Sequence, residues 1–301
     1  MAELNLEGVR IEDTFAEAFS MWAARAVVTA ASRDWALTAG RVATGYATSV
    51  IGCDAEAGIE TELGPADTPD GRPGVSLLFF GFSQESLGKA LVNRLGQCVM
   101  TCATTSCFNG LPTSEAQVKV GSQLRFFGDG HQSSKKLEAR RYWRVPVMDG
   151  EFLCEEAFGA QRAVAGGNFV VLAVDQATAL GAAEAAVSAI ARVPGVILPF
   201  PGGVVRSGSK VGSRYKKLRA STNDAYCPTI RGVTRSDLPP GVNAVYEIVI
   251  DGLDLPAVER ATREGVRAAC RRGVVQISAL NYGGKLGKHQ VHLHRALAAA
   301  P

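Results

Sequence analysis

The chain has 301 residues, 47% of them hydrophobic and 20% charged, and 32 Lys and Arg against 29 Asp and Glu leave a formal charge of +3. A chain this long buries roughly three quarters of its extended surface, so a full core forms without disulfides or metals, and its length predicts two domains. The apolar content excludes a disordered chain, and so even a charge balance gives no electrostatic case for nucleic acid or a membrane surface.

In chain order, the N-terminal MAELNLEGVRIEDTF carries acids where a signal peptide needs a basic patch and an apolar stretch, which predicts a cytoplasmic protein. A β-branched run at Val27 and Val28 predicts a strand, with a helix from Asp34 to about Thr44 and a second strand near Thr48 to Cys53. The turn residues of Gly64 to Gly74 lead to a strand at Val75 to Phe80, a helix at Gln84 to Leu95 and a closing strand at Cys98 to Ala103. A basic strand, KKLEARRYWRVPV, precedes Met148-Asp149-Gly150, where a boundary is expected.

The longest apolar stretch, Ala163 to Val174, is short and interrupted by Gly166, Gly167 and Asn168, so no membrane span is expected. From it the pattern repeats: a strand at Phe169 to Val174, a helix over about Ala177 to Ala191 and a strand at Val196 to Phe200. A loop of about forty residues, Gly202 to Gly241, follows, and loops of that length are usually functional. A strand at Ala244 to Ile250, a helix from Leu255 to about Arg271 capped by Asp254 with Pro256 in its first turn, and a strand at Val274 to Ala279 complete the half. Each half thus reads βαβ, insertion, βαβ, the split motif of a ferredoxin-like lobe. The expected class is α+β, with two ferredoxin-like lobes related by an internal repeat at residues 1–149 and 150–301.

Several chemistries are excluded. Seven cysteines do not make a disulfide framework, and Cys98, Cys102 and Cys107 lack the paired knuckles of a zinc site, so reduced, mostly buried thiols are expected. Gly203 to Lys210 has the order Gly-Ser-Lys rather than Gly-Lys-Ser, and no dinucleotide fingerprint or nucleophile elbow is present. Period-two spacing puts His292 and His294 on one face of a C-terminal strand, with no carboxylate beside them in sequence, and no metal site is expected.

Two features remain. Ala220 to Thr229, ASTNDAYCPT, packs hydroxyls, an amide, a carboxylate and a phenol into the long loop, and reads either as a donor-rich site or as a self-satisfied turn. Glu247 lies in Val245 to Ile250, where the equivalent strand of the first half has no ionisable group. It either faces water on an alternating strand or is desolvated, which would raise its pKa and favour a neutral acid able to donate a proton.

At these residues the chain resembles the formylmethanofuran:tetrahydromethanopterin formyltransferase family almost end to end. The resemblance is carried by Ile11 to Ser32, CDAEAGIE, TPDGRPGV, RLGQCVM, FFGDG at Phe126 to Gly130, VAGGNF, PFPGG, SKVGS, ASTNDAYCPT, VYEIVI, NYGGKLG at Asn281 to Gly287 and HLH. It implies two ferredoxin-like lobes, a cytoplasmic homo-oligomer (typically a tetramer built from dimers), and no metal or permanently bound cofactor. The implied reaction moves a formyl group between the amine of methanofuran and nitrogen-5 of tetrahydromethanopterin, both co-substrates. Glu247 matches the strand glutamate held to be the protonated acid. Ser221, Thr222, Asn223, Asp224 and Tyr226 become candidate donors near the reacting carbon or the pterin, and Lys285 a candidate partner for an acidic tail on a carrier.

Such a transfer passes through a tetrahedral oxyanion, which needs donors, and a leaving amine, which needs a proton. The absence of a nucleophile with a matched base points to direct attack in a ternary complex. Family relatives of archaea are often strongly acidic. The near-neutral charge, the basic HQSSKKLEARR and the extra Cys102, Cys107 and His289 point instead to a methylotroph-type bacterial member in formaldehyde oxidation. Such members act in a formyltransferase/hydrolase complex with subunits similar to formylmethanofuran dehydrogenase. A scaffolding lobe and a formate-releasing hydrolase are the other classes; the first calls for a broken ASTNDAYCPT or Glu247, the second for a water-activating base.

Overall fold

A computed structural model describes residues 4–208 and 210–299. In chain order the elements are β1 (Leu4–Leu6), β2 (Val9–Ile11), β3 (Phe15–Thr29), α1 (Arg33–Thr44), β4 (Glu56–Leu63), β5 (Gly74–Gly81), α2 (Gln84–Arg94), β6 (Ser106–Asn109) and β7 (Ala116–Val118). They continue with α3 (Gly121–Leu124), β8 (Ser133–Leu137), β9 (Arg140–Val147), β10 (Gly150–Glu155), β11 (Phe158–Ala173), α4 (Gln176–Ile190), β12 (Val196–Ile197), β13 (Lys210–Val211) and β14 (Ala220–Ser221). The last are β15 (Ala244–Gly252), α5 (Leu255–Ala269), β16 (Val274–Ser278), β17 (His289–His292) and α6 (Leu293–Ala298). The class is mixed α+β, and the chain divides into two compact units, Met21–Ala163 and the remainder on either side of it.

In the Met21–Ala163 unit, β3 pairs antiparallel with β5 and β6, and β4 closes on β5, giving the order β4-β5-β3-β6. β10, β9 and β8 extend it beyond β6. Trp22, Ala24, Ala26 and Val28 alternate along β3 into a core with Leu77 and Phe79 of β5 and Ala36, Leu37, Ala39 and Leu87 from α1 and α2. α1 starts where the Ser32 side chain accepts from the Trp35 amide, and α2 where Ser83 and Ser86 form a reciprocal cap.

Three strands fall elsewhere than the sequence pattern predicts. Thr48 to Cys53 is β-branched but forms turns, closed by the Gly52 and Cys53 amides on the Ser49 carbonyl (3.1 and 2.8 Å); on its flanks the buried Arg94 guanidinium donates to the carbonyls of Ala43 (2.8 Å), Gly45 (2.8 Å) and Tyr46 (2.9 Å) and pairs with Asp54. The strand follows as β4. Cys98 to Ala103 is apolar but continues α2 as a π-turn, Leu95–Val99, in which the Met100 amide reaches the Leu95 carbonyl. The closing strand is β6. KKLEARRYWRVPV is an antiparallel hairpin, β8 and β9, rather than one strand.

In the other unit the order is β12-β15-β11-β16, with β2 and β1 beyond β16. Phe169, Val171 and Ala173 of β11 and Ile248 and Ile250 of β15 face α4 and α5 in one core. Val170 and Leu172 point to the opposite face, against Val242, Tyr226, Leu238, Val245 and Leu280. The long loop therefore covers the face of the sheet that the helices leave open. The predicted strand at Val196 to Phe200 shortens to β12, because Pro199 and Pro201 cannot donate to a ladder. His294 is not on a strand face with His292: it lies in α6, with its ring near Asp13 (3.6 Å) and the Ile11 carbonyl (2.9 Å).

All seven cysteines are free thiols; Cys107, Cys154 and Cys270 are buried and the other four half-buried. No helix among the described residues is long and apolar enough to cross a membrane. Replacing Arg94 with Leu keeps apolar bulk but strands three carbonyls and Asp54. The expected cost is about 3 kcal/mol, read as a lower urea midpoint at constant m; a loss below about 0.5 kcal/mol would show that the turn does not depend on Arg94.

Candidate active site

Glu247 occupies a central position in β15. On one side it is registered with Val170 of β11, which in turn is registered with Ser278 of β16. On the other side, Val205 makes a two-way backbone bridge with it, at 2.8 and 3.1 Å. Directly registered residues share a sheet face, so Ser278, Val170 and Glu247 form one row on the loop-covered side. The water-facing alternative fails here because the loop supplies a second cover. Glu247 is 8% exposed, and burial alone pushes its carboxyl up from 4.5 to about 7.

The carboxyl lines a cavity of about 40 Å³ with Val205, Arg206, Asn223, Tyr226 and Leu280. A cavity need be only about one water-sized sphere to hold a water molecule, so this space beside the carboxyl has room for a small group. Asn223 precedes a single 3₁₀ turn, Asp224–Tyr226, whose last amide returns to the Asn223 carbonyl at 3.0 Å. That turn sets the Asn223 side chain and the Tyr226 ring on the same rim. Burial raises the Tyr226 phenol, and its hydrogen bond to Ser278 partly offsets the rise, so Tyr226 is a neutral donor or acceptor bridging the row.

The other predicted residues separate into two places. Ser221, Thr222 and Asp224 line a second cavity of about 430 Å³ together with Lys210, Ser213, Arg214 and Tyr215. There the Ser221 hydroxyl donates to the Gly212 carbonyl (2.8 Å) and Thr222 to the Ser207 carbonyl (3.0 Å). Asp224 pairs with Lys210, whose hydrogen bond holds the carboxyl below its usual range against the opposing pull of burial. Lys285 is exposed on the turn Asn281 to Gly287 and lines neither cavity.

That turn reveals a residue missed in the sequence. Burial of Glu17 (2% exposed) by itself raises its pKa, but the backbone amides of Gly287 (2.7 Å), Tyr282 (2.7 Å), Leu286 (2.9 Å) and Gly284 (2.5 Å) all donate to its carboxylate and leave it lowered. Gly283 and Gly284 adopt left-handed φ of 70° and 74°, which curls the turn around the carboxylate, while the Gly283 amide donates to the Asn281 side chain (3.0 Å). Glu17 sits in the alternating FAEAF run, and nothing local announces four partners more than 260 residues away. Among the described residues, no group of three or more His, Cys, Asp and Glu side chains could hold a metal ion.

Comparison with known proteins identifies the family. Residues 4–147 match the family described as formylmethanofuran-tetrahydromethanopterin formyltransferase, and residues 150–296 match its proximal lobe. The chain belongs to this family. A formylmethanofuran--tetrahydromethanopterin formyltransferase of Methylococcus capsulatus is 56% identical, covering 97% of this chain and 99% of the relative. Another, of Methylobacillus flagellatus, is 55% identical over the same shares. A subunit of the formyltransferase/hydrolase complex of Methylorubrum extorquens is 50% identical over 99% of this chain and 98% of its own. Among solved structures, the Methanosarcina barkeri enzyme superposes with a TM-score of 0.93 at 51% identity, covering 97% of this chain and all of that one. The Methylorubrum extorquens formyltransferase/hydrolase complex, crystallised with methylofuran, gives 0.96 at 50% identity, covering 99% and 100%.

Two outcomes are expected. Glu17→Ala should speed amide exchange at Tyr282, Gly284, Leu286 and Gly287 by at least tenfold while leaving β15 protected; unchanged exchange would mean the turn holds its own shape. Glu247 binds its proton more tightly folded than unfolded. Between pH 4.5 and about 7 the folded state therefore holds the extra proton and stability falls as pH rises. The penalty is of the order of 3 kcal/mol above pH 7 and absent below 4.5. Glu247→Gln should raise the melting temperature at pH 8 and not at pH 4, which scanning calorimetry at both pH values measures.

Proposed function

We propose that this family member transfers a formyl group between nitrogen-5 of tetrahydromethanopterin and a methanofuran-type amine in one-carbon (formaldehyde oxidation) metabolism. The observation that carries the proposal is the buried Glu247 carboxyl, pushed up to about 7, in a small cavity lined by Asn223 and Tyr226. The attacking nitrogen adds to the formyl carbon, a C–N bond forms, and the carbonyl oxygen becomes an oxyanion. The Asn223 amide faces that oxygen, and Tyr226 orders the rim. Glu247 gives its proton to the leaving nitrogen as the old C–N bond breaks, and recovers one from the amine that attacked. Transfer is direct, within a ternary complex, with Ser221, Thr222, Asp224 and Lys285 binding the carriers away from the reacting carbon.

Several finer readings go with this one. Each half is a ferredoxin-like lobe, supported by the matching orders β4-β5-β3-β6 and β12-β15-β11-β16 around two βαβ connections apiece. The family boundary lies near residue 149, beside the matched segments 4–147 and 150–296. The protein is a cytoplasmic homotetramer or, like the Methylorubrum extorquens relative, a subunit of a formyltransferase/hydrolase complex, and it needs no resident cofactor.

Formyl transfer from formylated tetrahydromethanopterin to a methanofuran-type amine tests the proposal. Glu247→Gln should lower kcat by about a hundredfold or more with little change in KM. In the wild type kcat/KM should decline above about pH 7 with one ionisation, and the variant should lose that limb. Asn223→Ala should cost roughly 2–4 kcal/mol of transition-state stabilisation. Free formate as the main product, or near-normal kcat in Glu247→Gln, would sink the assignment.

A further inference from the structure

Glu17 lines neither cavity. Burying an ionised carboxylate is costly unless its lone pairs find donors, and a glycine-rich surface turn closes without such a group. Here each oxygen takes two backbone amides: Oε1 those of Tyr282 and Gly284, Oε2 those of Leu286 and Gly287. Bonds to a charged acceptor are the short, strong ones. The Glu17 amide adds a fifth tie, to the Leu280 carbonyl at 3.4 Å. The fit to β3 is close as well, for a Cβ at Gly287 would lie 2.7 Å from the Ala18 carbonyl oxygen and 2.8 Å from the Glu17 Cβ. One residue of β3 thus fixes the chain from Leu280 to Gly287.

Two of the residues so fixed reach the Glu247 cavity. Leu280 lines it directly. The Asn168 side chain clamps Leu280 from β11, accepting from its amide (2.7 Å) and donating to its carbonyl (3.2 Å). Tyr282 reaches the cavity at one remove, through its hydroxyl, which accepts from the Val211 amide at 3.0 Å. The neighbours of Val211 are tied on either side of Asn223: Lys210 pairs with Asp224, and the Gly212 carbonyl accepts from the Ser221 hydroxyl (2.8 Å). Asn223 therefore hangs between two contacts that both run back to Tyr282.

We propose that Glu17 is a positioning residue for formyl transfer: its amide cradle sets Leu280 and Tyr282, and through them one wall of the Glu247 cavity and the Asn223 side chain. This rests on the formyl-transfer reading and adds to it a residue outside both cavities. A donor to a developing oxyanion is effective when it is already in place, and a misplacement of about 1 Å can cost on the order of 10²-fold. Asn223 makes its full contact only in the transition state, so a loosened cradle acts on kcat more than on KM.

Formyl-transfer kinetics of the full-length protein test this with Glu17→Gln and Tyr282→Phe. Gln keeps the shape of Glu17 but turns a donor toward two of the four amides. Phe keeps the ring and the backbone cradle and removes the acceptor for Val211. Glu17→Gln should lower kcat about tenfold and Tyr282→Phe about threefold, each with KM for either carrier changed by less than about twofold. Tyr282→Phe should also keep the wild-type melting temperature, which separates positioning from folding. In an Asn223→Ala background the group being set is gone, so Glu17→Gln should cost less than about threefold and Tyr282→Phe nothing further.

If both variants turn over like the wild type, or lose the same factor with and without Asn223, Glu17 only holds a turn and the inference is overturned. Should Glu17→Gln fail to fold, Tyr282→Phe alone and combined with Asn223→Ala decides by the same criteria. A wild type that transfers no formyl group removes the formyltransferase reading and this role with it. A wild type that transfers normally beside unaffected variants removes only the role of Glu17.

Discussion

The site depends on a sheet that is covered twice. β11 and β15 present Phe169, Val171, Ile248 and Ile250 to the helices, and Val170, Val245 and Glu247 to the long loop. With one cover, Glu247 would face water and ionise as an ordinary carboxylic acid. With two, the charged form loses its hydration, and the proton stays on to about pH 7. The same burial that destabilises the ionised protein keeps the carboxyl protonated well above the ordinary carboxylate range.

The covering loop needs its own supports, since it contains little regular structure. Tyr226 docks on the row of Ser278, Val170 and Glu247 through Ser278 and the apolar patch around Val170, and the 3₁₀ turn it ends sets Asn223. Lys210 and Asp224 pair across the loop, and Val211 is tied to Tyr282. Tyr282 hangs from Glu17, an ionised carboxylate buried under four backbone amides. Two buried glutamates in one unit thus shift in opposite directions. Glu247 has desolvation alone, whereas Glu17 has desolvation outweighed by hydrogen bonds to its charged form.

The helices were legible because their signals are local: Ser32, Ser83, Asp175 and Asp254 each cap the helix that follows. Strands were less so. Thr48 to Cys53 and Cys98 to Ala103 have strand-like composition, but the first closes into turns on the Ser49 carbonyl between flanks held by Arg94, and a π-turn absorbs the start of the second. A β-branched or apolar run states what can be buried and not which partner buries it.

By itself the sequence determined the α+β class, the alternation of strands and helices in each half, the family, and Glu247 as the carboxyl out of place in an apolar strand. These follow from periodicity, caps and ordered motifs, which are written in neighbouring residues. Only the tertiary structure decided that Glu247 shares a cavity with Asn223 and Tyr226, and that Ser221, Thr222 and Asp224 belong to a different, cationic one. It alone assigned Glu17 its partners. Strand register and loop docking bring together groups tens to hundreds of residues apart, and the energy of burying a carboxylate depends on that surrounding rather than on the residue's place in the chain.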